Sequence, residues 1–203
     1  MKKLTNKLMK RLSLYLFLIL FTLQTPSQAD DIRDFQIEGM SLGDSLLNYF
    51  SKSEIEKAHK IFYPASKKFT QIAPDEPIKG YELYEVVSFT FKSNDNNYKI
   101  YQLKGMMGYD NKIDECLKEK DKILKEVSNV LKNFEERKYT NNFAGAAGES
   151  IAYVTDFNIP SGSIRVWCSN WDENTEKEKG WIDSLNVDAS SKEYLNWLNN
   201  EAY

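Results

Sequence analysis

The chain has 203 residues, 41% hydrophobic and 28% charged, with 27 Lys and Arg against 30 Asp and Glu for a formal net charge of −3. That length and balance fit one folded domain with a sizeable core, not a disordered or fibrous chain. Acids outnumber bases, and the lysines beyond position 30 are scattered among them, which argues against nucleic acid as a partner.

The N-terminus places five cations, Lys2, Lys3, Lys7, Lys10 and Arg11, ahead of an apolar run at 12–23 and a polar stretch that ends Ser27-Gln28-Ala29. This is the pattern of a secretory signal peptide. The apolar run is shorter than the roughly 18 residues of a membrane-spanning helix, so no stable membrane span is expected after cleavage. No Cys lies near Ala29 to carry a lipid anchor. The reading is therefore a signal peptide at 1–29 and a single globular α+β domain at 30–203, exported to the periplasm or the extracellular space. Without the five leader cations, 22 bases face 30 acids, a formal −8.

The first segment of the domain, "DFQIEG", allows a short strand. Ser41 can then cap a helix, with Asp44 reaching back from the third position and Leu42, Leu46, Leu47 and Phe50 on one face. A second short helix is placed at Ser53, with Glu56 three residues on. Residues 63–80 hold three of the five prolines and read as a connecting loop. The aromatic and β-branched run "YELYEVVSFTFK" at 81–92, the turn "NDNN" and the run "YKIYQLKGMMGYD" predict a hairpin.

The period then changes. Ile113, Cys116, Leu117, Lys120, Ile123, Leu124, Val127, Val130, Leu131 and Phe134 recur at three and four, predicting a long amphipathic helix capped by Asp110 or Asn111. Lys120 interrupts that stripe, and its stem can lie along an apolar surface. "SIAYVTDFNIP", "SGSIRVWCSNW" and "GWIDSLNVDA" follow as three strands with short connections, and Ser190 with Glu193 forms a capping box for a final helix. The expected fold is α+β: an antiparallel sheet of about five strands, the long helix on one face, and short N-terminal and C-terminal helices. Cys116 on the apolar stripe and Cys168, alternating with Ile164 and Val166, both point to the helix–sheet interface. In an oxidising compartment a Cys116–Cys168 disulfide is expected.

The tetrad Gly43-Asp44-Ser45-Leu46 resembles the head motif of the GDSL hydrolases, in which the Ser is the nucleophile. A Ser hydroxyl needs a base to take its proton. The family supplies a His near the C-terminus in a D-x-x-H block; this chain has one His, His59, only 14 positions after Ser45. The Gly of the family's G-x-N-D block is absent from "KSNDNN", and the segment before the tetrad is mostly polar. Ser45 is therefore assigned to a helix start, and a Ser45 hydrolase is kept only as the alternative function.

One His without neighbours at ligand spacing makes no zinc site, so no metal is expected. "GAAG" at 145–148 is neither a phosphate loop nor a dinucleotide fingerprint, and no cofactor is called for. Aromatic residues remain. Arg165, Trp167 and Trp171 project from the side of their strand opposite Cys168, and Trp and Arg often mark contact surfaces. They are the candidate contact residues for a protein or small-molecule partner; the competing expectation is burial under a second layer.

The block I-E-G-M-S-x-G-D-S-L-L, with "NNYKIYQLKG" and "NKIDECLKEKDKI" after it, resembles uncharacterised exported proteins of marine bacteria with AT-rich genomes. The resemblance spans most of the domain. It implies export and a shared fold, with the Gly-Asp-Ser as part of a helix start, and brings no activity with it. The expected function is a non-catalytic exported domain that binds a protein or small ligand.

Overall fold

The computed structural model describes residues 32–73, 83–143 and 150–203. The leader at 1–29, much of the Pro-rich segment and the "GAAG" stretch lie outside the described residues. Two short strands, β1 (Gln36–Ile37) and β2 (Met40–Ser41), form a hairpin. Its turn residues Glu38 and Gly39 have φ of 51° and 73°, the positive pair that a type I′ turn requires. After a 3-10 turn come α1 (Lys52–Lys57), β3 (His59–Phe62), β4 (Phe69–Ala73), β5 (Val86–Lys92) and β6 (Gln102–Gly108). The second half holds α2 (Ile113–Val130), β7 (Glu135–Asn142), β8 (Ile151–Ile159), β9 (Gly162–Asn170), α3 (Glu173–Lys179), β10 (Ser184–Ser191) and α4 (Lys192–Asn200).

Strands β3 to β10 build one eight-stranded antiparallel sheet in the order β3-β4-β5-β6-β10-β9-β8-β7. The fold is thus mostly β, and the α+β expectation of about five strands is corrected by this sheet. The five expected strands are its middle; β3, β4 and β7 extend it at both edges. Every residue of β3 and β7 is exposed, so neither carries the alternation that marks a half-buried strand. The charges of "EERKYTNN" suit an edge that must not pair with foreign strands.

Other boundaries moved for local reasons. No α-helix starts at Ser41: Gly43 adopts a φ of 91°, which breaks the helical path, and only a 3-10 turn at Leu46–Asn48 follows. The box of α1 uses Ser51 and Glu54 rather than Ser53 and Glu56, and His59 lies on β3, not on a helix. The N-cap of α2 is Lys112, not Asp110 or Asn111, and makes no side-chain cap bond, since an ammonium has no acceptor to offer. The acidic connection after β9 contains α3, whose N-cap Asp172 accepts from Asn174 and Thr175 and whose C-cap is the left-handed Gly180. Ser191, not Ser190, caps α4.

One face of the sheet holds the main core. Helix α2 turns Cys116, Lys120, Ile123, Leu124 and Val127 inward against Ile164, Val166, Cys168, Leu185 and Val187, and the N-terminal segment adds Ile37, Met40 and Leu46 to the same cluster. Cys116 and Cys168 form a disulfide between α2 and β9, with Cα atoms 6.1 Å apart and a sequence separation of 52. Closing a loop of that length restricts the unfolded chain by about 4 kcal/mol in the entropy model. The other face is covered at one corner by α4, where Tyr194 and Trp197 pack on Phe69 with Tyr63 and Tyr101 alongside.

Lys120 is buried in the first core, its Nζ donating to Thr155 Oγ1 at 2.9 Å, and burial lowers its pKa below the ordinary 10.5. A buried ammonium held by one hydroxyl is a weak point. Lys120→Met is expected to stabilise the fold by on the order of 1 kcal/mol at about pH 7 in urea unfolding. Folded Lys120 releases its proton at a lower pH than the unfolded chain does, so wild-type stability rises through that window and the variant's advantage shrinks by about pH 10. An advantage that is absent, or that grows with pH, would show the site to be misread.

Candidate functional site

The second sheet face is built by alternation. In β10, Leu185, Val187 and Ala189 enter the core, which turns Ser184, Asn186, Asp188 and Ser190 to the other side. In β9, Ile164, Val166 and Cys168 do the same and leave Ser163, Arg165 and Trp167 opposite. Register then decides which of these residues meet. Arg137 pairs with Asp156, Asp156 with Arg165, Arg165 with Asp188, and Asp188 with Lys104. Five neighbouring strands thus present a row of alternating sign, roughly 20 Å long at the usual strand spacing. The next row runs Tyr139, Val154, Trp167, Asn186, Met106.

Within the row the bonds are uneven. Arg165 grips Asp156 with two hydrogen bonds, Nε to Oδ1 at 2.6 Å and Nη2 to Oδ2 at 3.2 Å, the geometry that makes Arg–carboxylate pairs strong. Tyr139 donates to the same carboxylate at 3.1 Å. Asp188 accepts from Ser190 Oγ at 2.6 Å and from Gln102 Nε2; burial pushes its carboxyl up, and these donors with Lys104 and Arg165 oppose the shift. Lys104 differs. Its Nζ lies 4.9 Å from the centroid of the Trp167 ring, within cation–π range, and burial lowers its pKa while Asp188 pulls the other way.

Arg165, with half its side chain exposed, and the partly exposed Trp167 therefore share one surface. Trp171 lies elsewhere, beyond the end of β9, stacked on Phe143 at a centroid distance of 4.0 Å and against Trp181 at 4.6 Å. Its backbone N–H donates to the buried Asp183 carboxylate at 2.8 Å. Trp171 belongs to that aromatic stack and does not share the face of Arg165 and Trp167. Lys104, Asp156, Asp188 and Tyr139 belong to the same sheet face, with Asp156 buried in it, and were not singled out from the sequence. The polar alternates of "SLNVDASS" signalled Asp188, but strand register is what joins it to Lys104.

At the tetrad, the Ser45 hydroxyl donates to the Asn97 carbonyl and accepts from the Leu47 N–H at 3.2 Å. Asp44 Oδ2 accepts from the Ser41 N–H at 2.9 Å and from the Tyr49 hydroxyl at 2.6 Å. The motif closes a turn. Both hydrogen bonds of the Ser45 hydroxyl go to backbone, and His59 sits on the exposed strand β3 opposite Ala73. Among the described residues, no group of three or more His, Cys, Asp and Glu side chains could hold a metal ion. Compared with family models, curated proteins and solved structures, the chain matches none.

Removing the Ser45 hydroxyl should cost about 1 kcal/mol, the usual value of a lost cap. In thermal unfolding Ser45→Ala should melt slightly earlier, and any ester hydrolysis by the wild type should persist unchanged. A selective loss of hydrolysis with unchanged stability would make Ser45 a nucleophile.

Proposed function

We propose that the chain is a non-catalytic exported domain that binds a protein or small ligand through the sheet face of Arg165 and Trp167. The observation that carries this reading is the pairing of a half-exposed guanidinium with a partly exposed indole on one face of the sheet. Aromatic and Arg side chains there lose little conformational freedom on contact, which is what makes such residues effective anchors. Helix α2 and the disulfide rigidify the opposite face, so the contact face is pre-ordered.

Export is supported by the leader pattern, by the disulfide between α2 and β9, which suits an oxidising compartment, and by the lack of any helix among the described residues long and apolar enough to cross a membrane. Cleavage after Ala29 is part of the proposal. Mass spectrometry of the native protein should then find Asp30 at its N-terminus, whereas an intact Met1 in the envelope would refute cleavage.

Trp167→Ala tests the surface. The species that the wild-type protein retains from envelope extract should be lost by this variant, with the melting temperature lowered only slightly. Retention by the variant equal to that of the wild type would remove this face as the contact surface. A large drop in melting temperature would reassign Trp167 to the core.

A further inference from the structure

We infer that Lys104 and Trp167 anchor a small carboxylate ligand, with the Lys104 ammonium taking the carboxylate and the exposed part of the indole supporting the ligand's framework. This rests on the reading of the face as a binding surface and names the chemistry that the surface selects. Three cations and two carboxylates make up the row, namely Arg137, Arg165 and Lys104 against Asp156 and Asp188. One positive charge is in surplus, and a monoanion matches it.

Arg137 lies on the fully exposed strand β7 and is solvated, so the shielded cation that carries the surplus is Arg165 or Lys104, and bonding separates these two. Asp156 is held by both arms of Arg165. Asp188, the residue directly across from Lys104, takes hydrogen bonds from Ser190 and Gln102. The Lys104 Nζ reaches across β10 to lie over the Trp167 ring on β9, and among the described residues no hydrogen bond or ion pair to a side chain or carbonyl reaches it. A shielded ammonium that faces only a ring and a distant carboxylate is under-solvated, and a ligand anion would restore the lost interaction. Burial lowers the Lys104 pKa in the same sense. Partly exposed Met106 lies in the same row as Trp167 and offers apolar contact to the ligand body. A dianion such as a phosphate monoester would overfill a single surplus charge, which favours the carboxylate.

Nitrogen-15 spectra of the full chain test this, read at the indole Nε1–H signal of Trp167, assigned with Trp167→Phe. Benzoate and its neutral isostere benzamide are the probes. Benzoate should move that signal saturably, at the millimolar strength expected of so small a ligand, and benzamide should bind at least about tenfold more weakly. Lys104→Met should abolish the preference while the spectrum stays dispersed, and Lys104→Arg should keep it. Equal titration by the two probes, no movement of the Trp167 signal, or undiminished benzoate binding by Lys104→Met would each overturn the carboxylate assignment. Any of these results combined with loss of envelope binding in Trp167→Ala sinks this inference alone. Envelope binding that survives Trp167→Ala sinks the surface itself.

Discussion

Strand β10 is hydrogen-bonded along both edges, to β6 from Ser184 to Ser190 and to β9 from Ser184 to Ser191. That double ladder joins two runs of strands, β3 to β6 and β7 to β10, that would otherwise be separate sheets. It requires a particular path. In an antiparallel sheet of this order β6 and β7 point the same way and stand four strand steps apart, about 19 Å. The chain must travel back along the sheet and across it before it can return strand by strand. Helix α2, with 18 residues and about 27 Å of length at the usual rise, makes that crossing beneath β9 and β10. The disulfide then ties the helix to β9.

This path gives the two faces different tasks. The face under α2 must be apolar, and Ile164, Val166, Leu185 and Val187 are fully buried there. The other face carries a smaller apolar cluster where Tyr194 and Trp197 cover Phe69, and elsewhere it buries mostly polar side chains, Asp156, Ser184, Asn186 and Ser190 among them. Polar alternates in β8, β9 and β10 line this face. Charges placed there are held by fixed strands and fixed partners, as the bidentate Arg165–Asp156 pair shows. A rigid scaffold with polar and aromatic groups in set positions suits recognition, because little further ordering is needed on contact.

How much of this was legible depended on burial. The strands at β5, β6, β8, β9 and β10 could be read because each alternates or concentrates apolar residues, and the helix at 113–130 because its stripe repeats at three and four. Edge strands β3 and β7 could not, since "HKIF" and "EERKYTNN" bury nothing and owe their conformation to the neighbour they pair with. Strand β4 was hidden inside a Pro-rich stretch. The same logic divides the site. Arg165 and Trp167 follow from alternation on one strand. Their meeting with Lys104 and Asp188 depends on register between strands distant in sequence, which periodicity does not carry. Trp171 was misplaced because alternation was carried one residue past the end of its strand.

The face of Arg165 and Trp167 is proposed to meet a partner where the protein works. Hydroxyl-radical footprinting of the protein in intact cells, compared with the purified chain, addresses this directly. Trp167 and Tyr139 should be oxidised in the purified protein and protected in cells, while Phe62, on the opposite edge of the sheet and well exposed at 58%, should react equally in both. Equal oxidation of Trp167 in both states would contradict it.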